Sequence, residues 1–423
     1  MIGRAVCSTW KFSSIMRPFV WLIFCTALLA GCTAAKESID ERGVTITAGD
    51  GTKVRIEAVA DRIIRVIAAP HKLKNSESLT ILPQEQIPQF SVESSDAAVT
   101  LRTAEMAATV ERETGRVSVR RADGTVIVEE NRREFLDNEV EGDRAYTVRQ
   151  VFESPADEAF YGLGQHQSDE CNYKGRNETL YQYNTKVSVP FIVSSRNYGI
   201  LWENYSLTRW GDPRDYSELN DVFEMEPLKA TYTDADGRTI TRSEACLDYA
   251  DLDKVKNFPE EFIPRFYGST ITWEGDIKAR ESGTYRFILY YAGYTKVFMD
   301  GREVVPEHWR TAWNPNSVKF EIAMESGRSS RLRVEWQPDG GVSYISLKAL
   351  TPVDEREQQR MSWWSELGDR IDYCVIAGDN ADEVISGYRT LTGKSQIMPR
   401  WAMGYWQSRE RYNTAAEILE TVN

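Results

Sequence analysis

Residues 161–206 concentrate the side chains best suited to hold a neutral, hydroxyl-rich ligand. Gln165, Gln167, Asn172, Asn177, Gln182 and Asn184 stand there among Tyr161, Tyr173, Tyr181, Tyr183, Tyr198, Trp202 and Tyr205. A sugar hydroxyl both donates and accepts hydrogen bonds, an amide matches both roles, and an aromatic face covers the C–H side of a pyranose. The same amides equally suit a long polar loop that satisfies its own backbone. Gly162 and Gly164 permit tight turning just before the cluster, which makes His166 and Gln167 braces of the loop rather than sugar contacts.

A second cluster lies in "PRWAMGYWQSRERYNTAAEILETVN", residues 399–423, where Trp401, Trp406 and Gln407 precede a charged turn containing Arg409, Glu410 and Arg411. The turn reads either as a ligand wall or as a solvated charge run, and Trp401 as core. Elsewhere the chemistry is sparse. His71, His166 and His308 are far apart, and Cys171, Cys246 and Cys374 have neither disulfide-framework nor metal-ligand spacing, so no metal and no cofactor are expected. With 51 Lys and Arg against 64 Asp and Glu, the net charge of −13 opposes phosphate binding and excludes nucleic acid as a partner.

The elements that must position these residues are mostly strands. Val54 and Ile56 alternate with Lys53, Arg55 and Glu57, the period of a half-buried strand. Val117 and Val119 lead through Asp123-Gly124 to Val126 and Val128, a hairpin, and Asp236-Gly237 repeats the device. The economical fold is mainly β: an antiparallel sandwich over residues 39–255. Residues 257–352 form a second β block, with a hairpin turn at Asp300-Gly301 and a strand that sets Leu332, Val334 and Trp336 against Arg331, Arg333 and Glu335. A charged connector, "VDEREQQRMSWW", follows it.

Residues 362–395 then read as a closing strand, "DYCVIAGD", and a linker helix capped by Asn380 and stopped by Gly393. Asp379 reads as part of that cap rather than as an acid. In residues 396–423, "IMPRWAMGYWQ" is a buried-strand candidate. "TAAEILETV" opens a helix with Thr414 and Glu417 at capping-box spacing. Strand, loop and helix make the first unit of an α/β domain, which the chain is expected to begin and not to finish.

"YGLGQHQ", "LYQYNTKVSVPFIVSSRNYGILWENYS" and "DYCVIAGDNADEVISGYRTLTGKSQIMPRWAMGYWQSRERY" together resemble the framework of glycoside hydrolase family 31, nearest its bacterial α-xylosidase branch of lipoproteins. The block between them resembles a protective-antigen-like (PA-fourteen) domain. The resemblance implies a galactose-mutarotase-like first sandwich lending a loop to the rim of a (β/α)₈ barrel that starts at residues 396–423. It implies retaining hydrolysis by two Asp residues, one attacking the anomeric carbon and one protonating the leaving oxygen. Both belong to later barrel strands, so neither is expected before Asn423, and the chain itself is expected to be inactive.

By the same resemblance, Asn184 falls near the +1 sugar, where Asn in place of Asp keeps hydrogen bonding but loses charge, and Gln182 stands beside it. Trp406 and Gln407 end the first barrel strand, and Glu410 or Arg411 forms the −1 wall. Related insert domains bind calcium through adjacent Asp residues; here Asp300-Gly301 is alone, and no calcium site is expected. The expected partner is a xyloglucan-type oligosaccharide. An α-glucosidase of the same family and a non-catalytic carbohydrate-binding lipoprotein remain the alternatives.

Residues 1–32 read as a targeting segment. Arg17 precedes an apolar run over residues 19–30, shorter than a spanning helix needs, and Met16 is a possible start. Leu29-Ala30-Gly31-Cys32 resembles a bacterial lipobox, in which Cys32 accepts a lipid that anchors the protein at a membrane; a plain secretory signal is the other reading. The anchor places the protein in the periplasm or outer membrane of a Gram-negative bacterium.

Overall fold

The computed structural model describes residues 37–74, 77–166, 170–182, 186–250, 258–259, 268–311, 316–339, 343–407, 409 and 411–422. Cys32, Gln167, Asn184 and Glu410 lie outside the described residues.

Two sheets face each other in the first sandwich, all neighbours antiparallel. The eight-stranded sheet runs, in spatial order, Glu37–Ile39, Gly43–Thr47, Lys53–Ala60, Ile63–Ala69, Ile371–Ala377, Tyr198–Trp202, Val187–Ser194 and Phe160–Gln165. The nine-stranded sheet runs Glu178–Leu180, Thr208–Trp210, Met361–Gly368, Asp143–Phe152, Val126–Val140, Val117–Arg121, Met106–Glu111, Ala98–Arg102 and Ser91–Ser94. Alternation does what the pattern predicts: Val54, Ile56, Val117 and Val119 are buried in one shared core with Trp202, Trp210 and Trp363. The Asp123-Gly124 hairpin forms, with Val119 opposite Val128 and Gly124 at φ +90°.

The second sandwich has its own core, built around Trp273, Tyr285, Phe287 and Trp336. One of its sheets joins Ser217–Glu218, Ile345–Leu350, Gly283–Tyr291 and Asn316–Met324; the other runs from Thr239–Glu244 through Leu228–Thr233, Thr270–Lys278 and Ser329–Gln337 to Gly293–Met299 and Arg302–Arg310. Sheet membership corrects the expected boundary near 255–257. Every strand from Ser217 to Tyr249 pairs with the second sandwich: Ser217 opposite Ala349, Tyr232 opposite Ile271 and Asp248 opposite Ser346. The division therefore falls between Trp210 and Ser217, because period-two alternation marks a buried face without saying against which sheet it is buried.

The connector is also more than a linker. Glu355–Gln359 is a short helix whose first turn is capped by Asp354, which accepts from the Glu357 amide at 3.1 Å. Met361 and Trp363 then enter the first core as part of a strand. Glu357 ties this return to the sandwich: Arg132 donates to it at 2.5 and 3.1 Å and Arg360 at 2.8 Å. Helix Ala381–Thr392 forms as expected. The Asn380 side chain accepts from the Glu383 amide at 3.0 Å, and Val384 and Leu391 are buried with Phe191 and Ile376 of the eight-stranded sheet.

Residues 397–407 do not form the expected strand. Arg400–Met403 is a single 3-10 turn, Ile397 is 97% exposed and Trp401 70%, so Trp401 is not core. A barrel strand takes its hydrogen bonds from a neighbour on each edge, and among the described residues none pairs with this segment. The helix after it does form, at Ala415–Val422, with Thr414 Oγ1 accepting from the Glu417 amide at 3.2 Å. Among the described residues no helix is long and apolar enough to cross a membrane.

The Arg132 hydrogen bonds, working against burial and joined by Arg360, hold the Glu357 carboxyl down at about 2. Its folded-state pKa is thus below the unfolded value of about 4.3, so its stabilisation is complete above that pH and is lost as pH falls towards 2. Glu357→Gln is expected to lower stability at pH 7 by about 1–2 kcal/mol and to flatten the loss between about pH 4.5 and 2. Urea midpoints of both proteins across that range check it, and parallel pH curves would count against the role given to Glu357.

Candidate functional site

The amide-rich segment starts on strand Phe160–Gln165, where Gly162, Leu163 and Gly164 all have positive φ, at +121°, +65° and +100°. The backbone there approaches strand Val187–Ser194 closely enough that a Cβ on Gly164 would lie 1.9 Å from the Val187 carbonyl oxygen. His166 then turns inward. Its Nε2 bonds the Leu163 carbonyl at 2.8 Å and its Nδ1 stands 3.6 Å from Glu178, so it braces the loop as predicted.

The amides divide between two jobs. Asn172 Oδ1 accepts from the Phe160 amide at 3.1 Å and the Lys174 amide at 3.0 Å, which is backbone service. Asn177 is bound by the Asp212 amide at 3.0 Å and by Arg286 of the second sandwich at 2.7 Å. Tyr198 and Trp202 are core, their polar atoms spent on Glu158 at 2.6 Å and Ser365 at 2.9 Å. Gln182 remains at the surface, with Tyr181 and Tyr205.

Gln182, Tyr181 and Tyr205 line one cleft of about 350 Å³, together with Leu180, Ser188, Pro190, Asn204, Ser206, Leu207 and Thr208. Gln182 Oε1 accepts from the Ser188 amide at 3.3 Å. Ser188 Oγ has no hydrogen-bond partner among the described residues. Larger clefts, of about 610 Å³ beside His71, Lys72 and Arg144 and of about 650 Å³ beside Glu153, Arg196 and Arg360, are lined mainly by charged groups. The smaller cleft is the better sugar site, because it alone of the three sets amides and hydroxyls beside exposed tyrosine rings.

A carboxylate that the sequence reading passed over holds Tyr205 in place. Glu203, buried, accepts hydrogen bonds from the hydroxyls of Ser78, Thr80 and Tyr205, and the Tyr205 oxygen accepts from the Leu79 amide at 2.8 Å. Burial, with Glu203 beside it, raises the Tyr205 pKa, so the phenol stays protonated and donates to Glu203. The signal for it was an acidic residue directly after the apolar run "YGILW". Such a residue must be satisfied internally where the strand leaves the core.

The other expected contacts are elsewhere. Trp406, 62% exposed, lies with its ring 5.8 Å from that of Trp401 and tilted 50° to it, and donates to the Ala402 carbonyl at 2.9 Å. Gln407 accepts from the Tyr405 hydroxyl, Arg411 is exposed, and Arg409 pairs with Glu417 at 3.8 Å. None of these lines the cleft. Asp379 pairs with Arg62 at 3.1 Å while its neighbour Asn380 does the capping. No Asp or Glu lines the cleft among the described residues, and none of the described His, Cys, Asp and Glu residues group to hold a metal. The arrangement can bind and orient a hydroxyl-rich molecule; it holds no acid and base pair to cut one.

Residues 53–210 match the glycosyl hydrolase 31 N-terminal galactose mutarotase-like domain. The chain superposes on the family 31 α-xylosidase of Xanthomonas citri with a TM-score of 0.82 at 37% identity, covering 91% of this chain and 43% of that one. A family 31 α-xylosidase from a soil metagenome shares the fold at TM-score 0.50 and 18% identity, over 91% of this chain and 38% of its own. The α-xylosidase of Saccharolobus solfataricus is 26% identical over 380 residues, 87% of this chain and 32% of its own length. Over 57 residues, 14% of this chain and 7% of the relative, identity to α-glucosidase 2 of Bacillus thermoamyloliquefaciens reaches 44%. The first sandwich is thus galactose mutarotase-like, resembling over residues 53–210 the N-terminal domain of glycosyl hydrolase 31 proteins. The chain has α-xylosidases among its homologues and spans less than half the length of those compared.

Gly164→Ala forces a side chain into the Val187 carbonyl at positive φ, and is expected to destabilise the first sandwich by about 1–3 kcal/mol. The shift in urea midpoint measures it; an unchanged midpoint would mean that the close approach of these two strands is dispensable.

Proposed function

We propose that the chain is the N-terminal portion of a retaining exo-α-glycosidase, an α-xylosidase acting on xyloglucan oligosaccharides. The observation that carries this is the 37% identity to the Xanthomonas α-xylosidase over 91% of the chain, which runs through both sandwiches and not only the first. The cleft between Tyr181, Gln182 and Tyr205 supports it, being polar, uncharged and bounded by aromatic rings. In this reading the cleft receives the part of the oligosaccharide beyond the scissile bond. The bond itself is cleaved by two Asp residues of a barrel outside these residues. An α-glucosidase is the second reading, favoured by the short 44% match to the Bacillus enzyme.

The same proposal takes Cys32 as the lipid-bearing residue of an exported protein at the periplasmic or outer membrane, on the motif Leu29-Ala30-Gly31-Cys32. It takes the second sandwich, an independent antiparallel β fold with its own core, as protective-antigen-like.

Assayed as the 423-residue polypeptide, the protein is expected to bind xyloglucan oligosaccharides and to release no aglycone from an aryl α-xyloside. Tyr205→Ala is expected to weaken binding about tenfold, equivalent to about 1.4 kcal/mol. Isothermal titration and a chromogenic assay check both. Brisk turnover by residues 1–423, or affinity indifferent to Tyr205, would overturn this division of binding and chemistry.

A further inference from the structure

We propose that the second sandwich fixes one wall of the sugar cleft through two cations, the part-buried Lys319 and the buried Arg286, which act as positioning residues on strands Glu178–Leu180 and Thr208–Trp210. The inference rests on reading that cleft as the sugar site.

Lys319 and Arg286 stand on adjacent strands of one sheet of the second sandwich, Asn316–Met324 and Gly283–Tyr291, where Ile288 is opposite Lys319 and Arg286 opposite Glu321. Both side chains reach out of their own domain. Lys319 donates to the Asn177 carbonyl oxygen, to Glu178 Oε2 at 3.0 Å and to Glu170 Oε2 at 3.5 Å. Arg286 donates to Asn177 Oδ1 at 2.7 Å and to Asp212 Oδ2 at 2.5 Å. The two cations therefore hold the start of one strand and Asp212, two residues beyond the end of the other.

Those strands are hydrogen-bonded to each other, Glu178 opposite Trp210 and Leu180 opposite Thr208. Leu180 and Thr208 both line the cleft, and Gln182 follows two residues after Leu180. In a strand, residues two apart share a face, so a shift at Glu178 is passed on to Leu180.

Burial works to lower the Lys319 pKa and to raise that of Glu178. In each case the opposite charge outweighs it, joined at Glu178 by His166 and Lys186 and at Lys319 by Glu170, so both groups stay ionised. The void among Glu170, Asn177, Tyr216, Arg286 and Lys319 is only about 10 Å³, scarcely room for one water, so the charges meet directly. Taking such a pair out of water offsets much of its attraction, and an apolar replacement of similar volume is often tolerated. What the pair supplies is geometry, because charge-assisted hydrogen bonds to a carbonyl and a carboxylate restrict where strand Glu178–Leu180 can lie.

The test compares the 423-residue chain with Glu178→Gln and with the double variant Lys319→Met/Glu178→Gln, neither of which leaves an unpaired carboxylate at position 178, reading melting temperature, amide hydrogen exchange and affinity for a xyloglucan heptasaccharide. Both variants are expected to melt within a few degrees of the parent. Amides of residues 178–182 are expected to exchange about tenfold faster while those of strand Thr270–Lys278 keep their protection, and affinity is expected to fall about tenfold. A folded variant with unchanged exchange at residues 178–182 overturns the proposal whatever its affinity. Global unfolding of both variants also overturns it, since the pair would then be a stability element. If the parent itself does not bind the heptasaccharide, the sugar reading of the cleft falls, and the exchange comparison still decides the positioning role.

Discussion

Asp372 carries the first sandwich. It is wholly buried, and Arg65 grips it with two hydrogen bonds, at 2.8 and 2.7 Å, while Arg370 adds a third at 2.9 Å. Its strand, Ile371–Ala377, lies between Ile63–Ala69 and Tyr198–Trp202, so the eight-stranded sheet has no continuous centre until the chain has returned to supply it. An unpaired carboxylate there would be very costly, which makes the Arg65 fork a condition of closure rather than a decoration of it. The second sandwich is therefore built between two strands of the first and is tethered at both ends, near Trp210 and near Met361.

That closure reaches the candidate site through one backbone bond. The Asp372 carbonyl accepts from the Glu203 amide at 2.9 Å, and the Glu203 side chain gathers the hydroxyls of Ser78, Thr80 and Tyr205. The exposed ring at the cleft thus hangs from a chain of satisfied polar groups that begins in the middle of the sheet. The Leu180 to Gln182 part of the lining is held from the second sandwich, through Lys319 and the start of its strand. A cleft on an edge strand and a loop gains its definition from these two anchorages, since loops alone hold side chains loosely.

This division fits a domain that recognises part of a substrate and leaves bond cleavage to groups elsewhere. Among the described residues the cleft offers amides, hydroxyls and rings but no carboxylate. Such a surface suits a neutral glycan and is compatible with the chain's acidic net charge, which a phosphate-bearing ligand would not tolerate.

Local rules settled much of this in advance. Alternation at Val54 and Ile56, the Asp-Gly turns at 123–124, 236–237 and 300–301, and the Asn380 and Gly393 helix ends all depend on neighbours within a few residues, and all appear as read. The family framework was legible too, because its motifs are contiguous. Three things were not. Alternation could not assign residues 217–249 to a sandwich, since a buried face looks the same whichever sheet covers it. The amide cluster could not be sorted into loop bracing at Asn172 and Asn177 and an open contact at Gln182, because Arg286 and Asp212 arrive from distant positions. The aromatic segment at 397–407 carries strand-like residues, yet a strand exists only when a neighbour completes its ladder, and that requirement is met or refused in three dimensions.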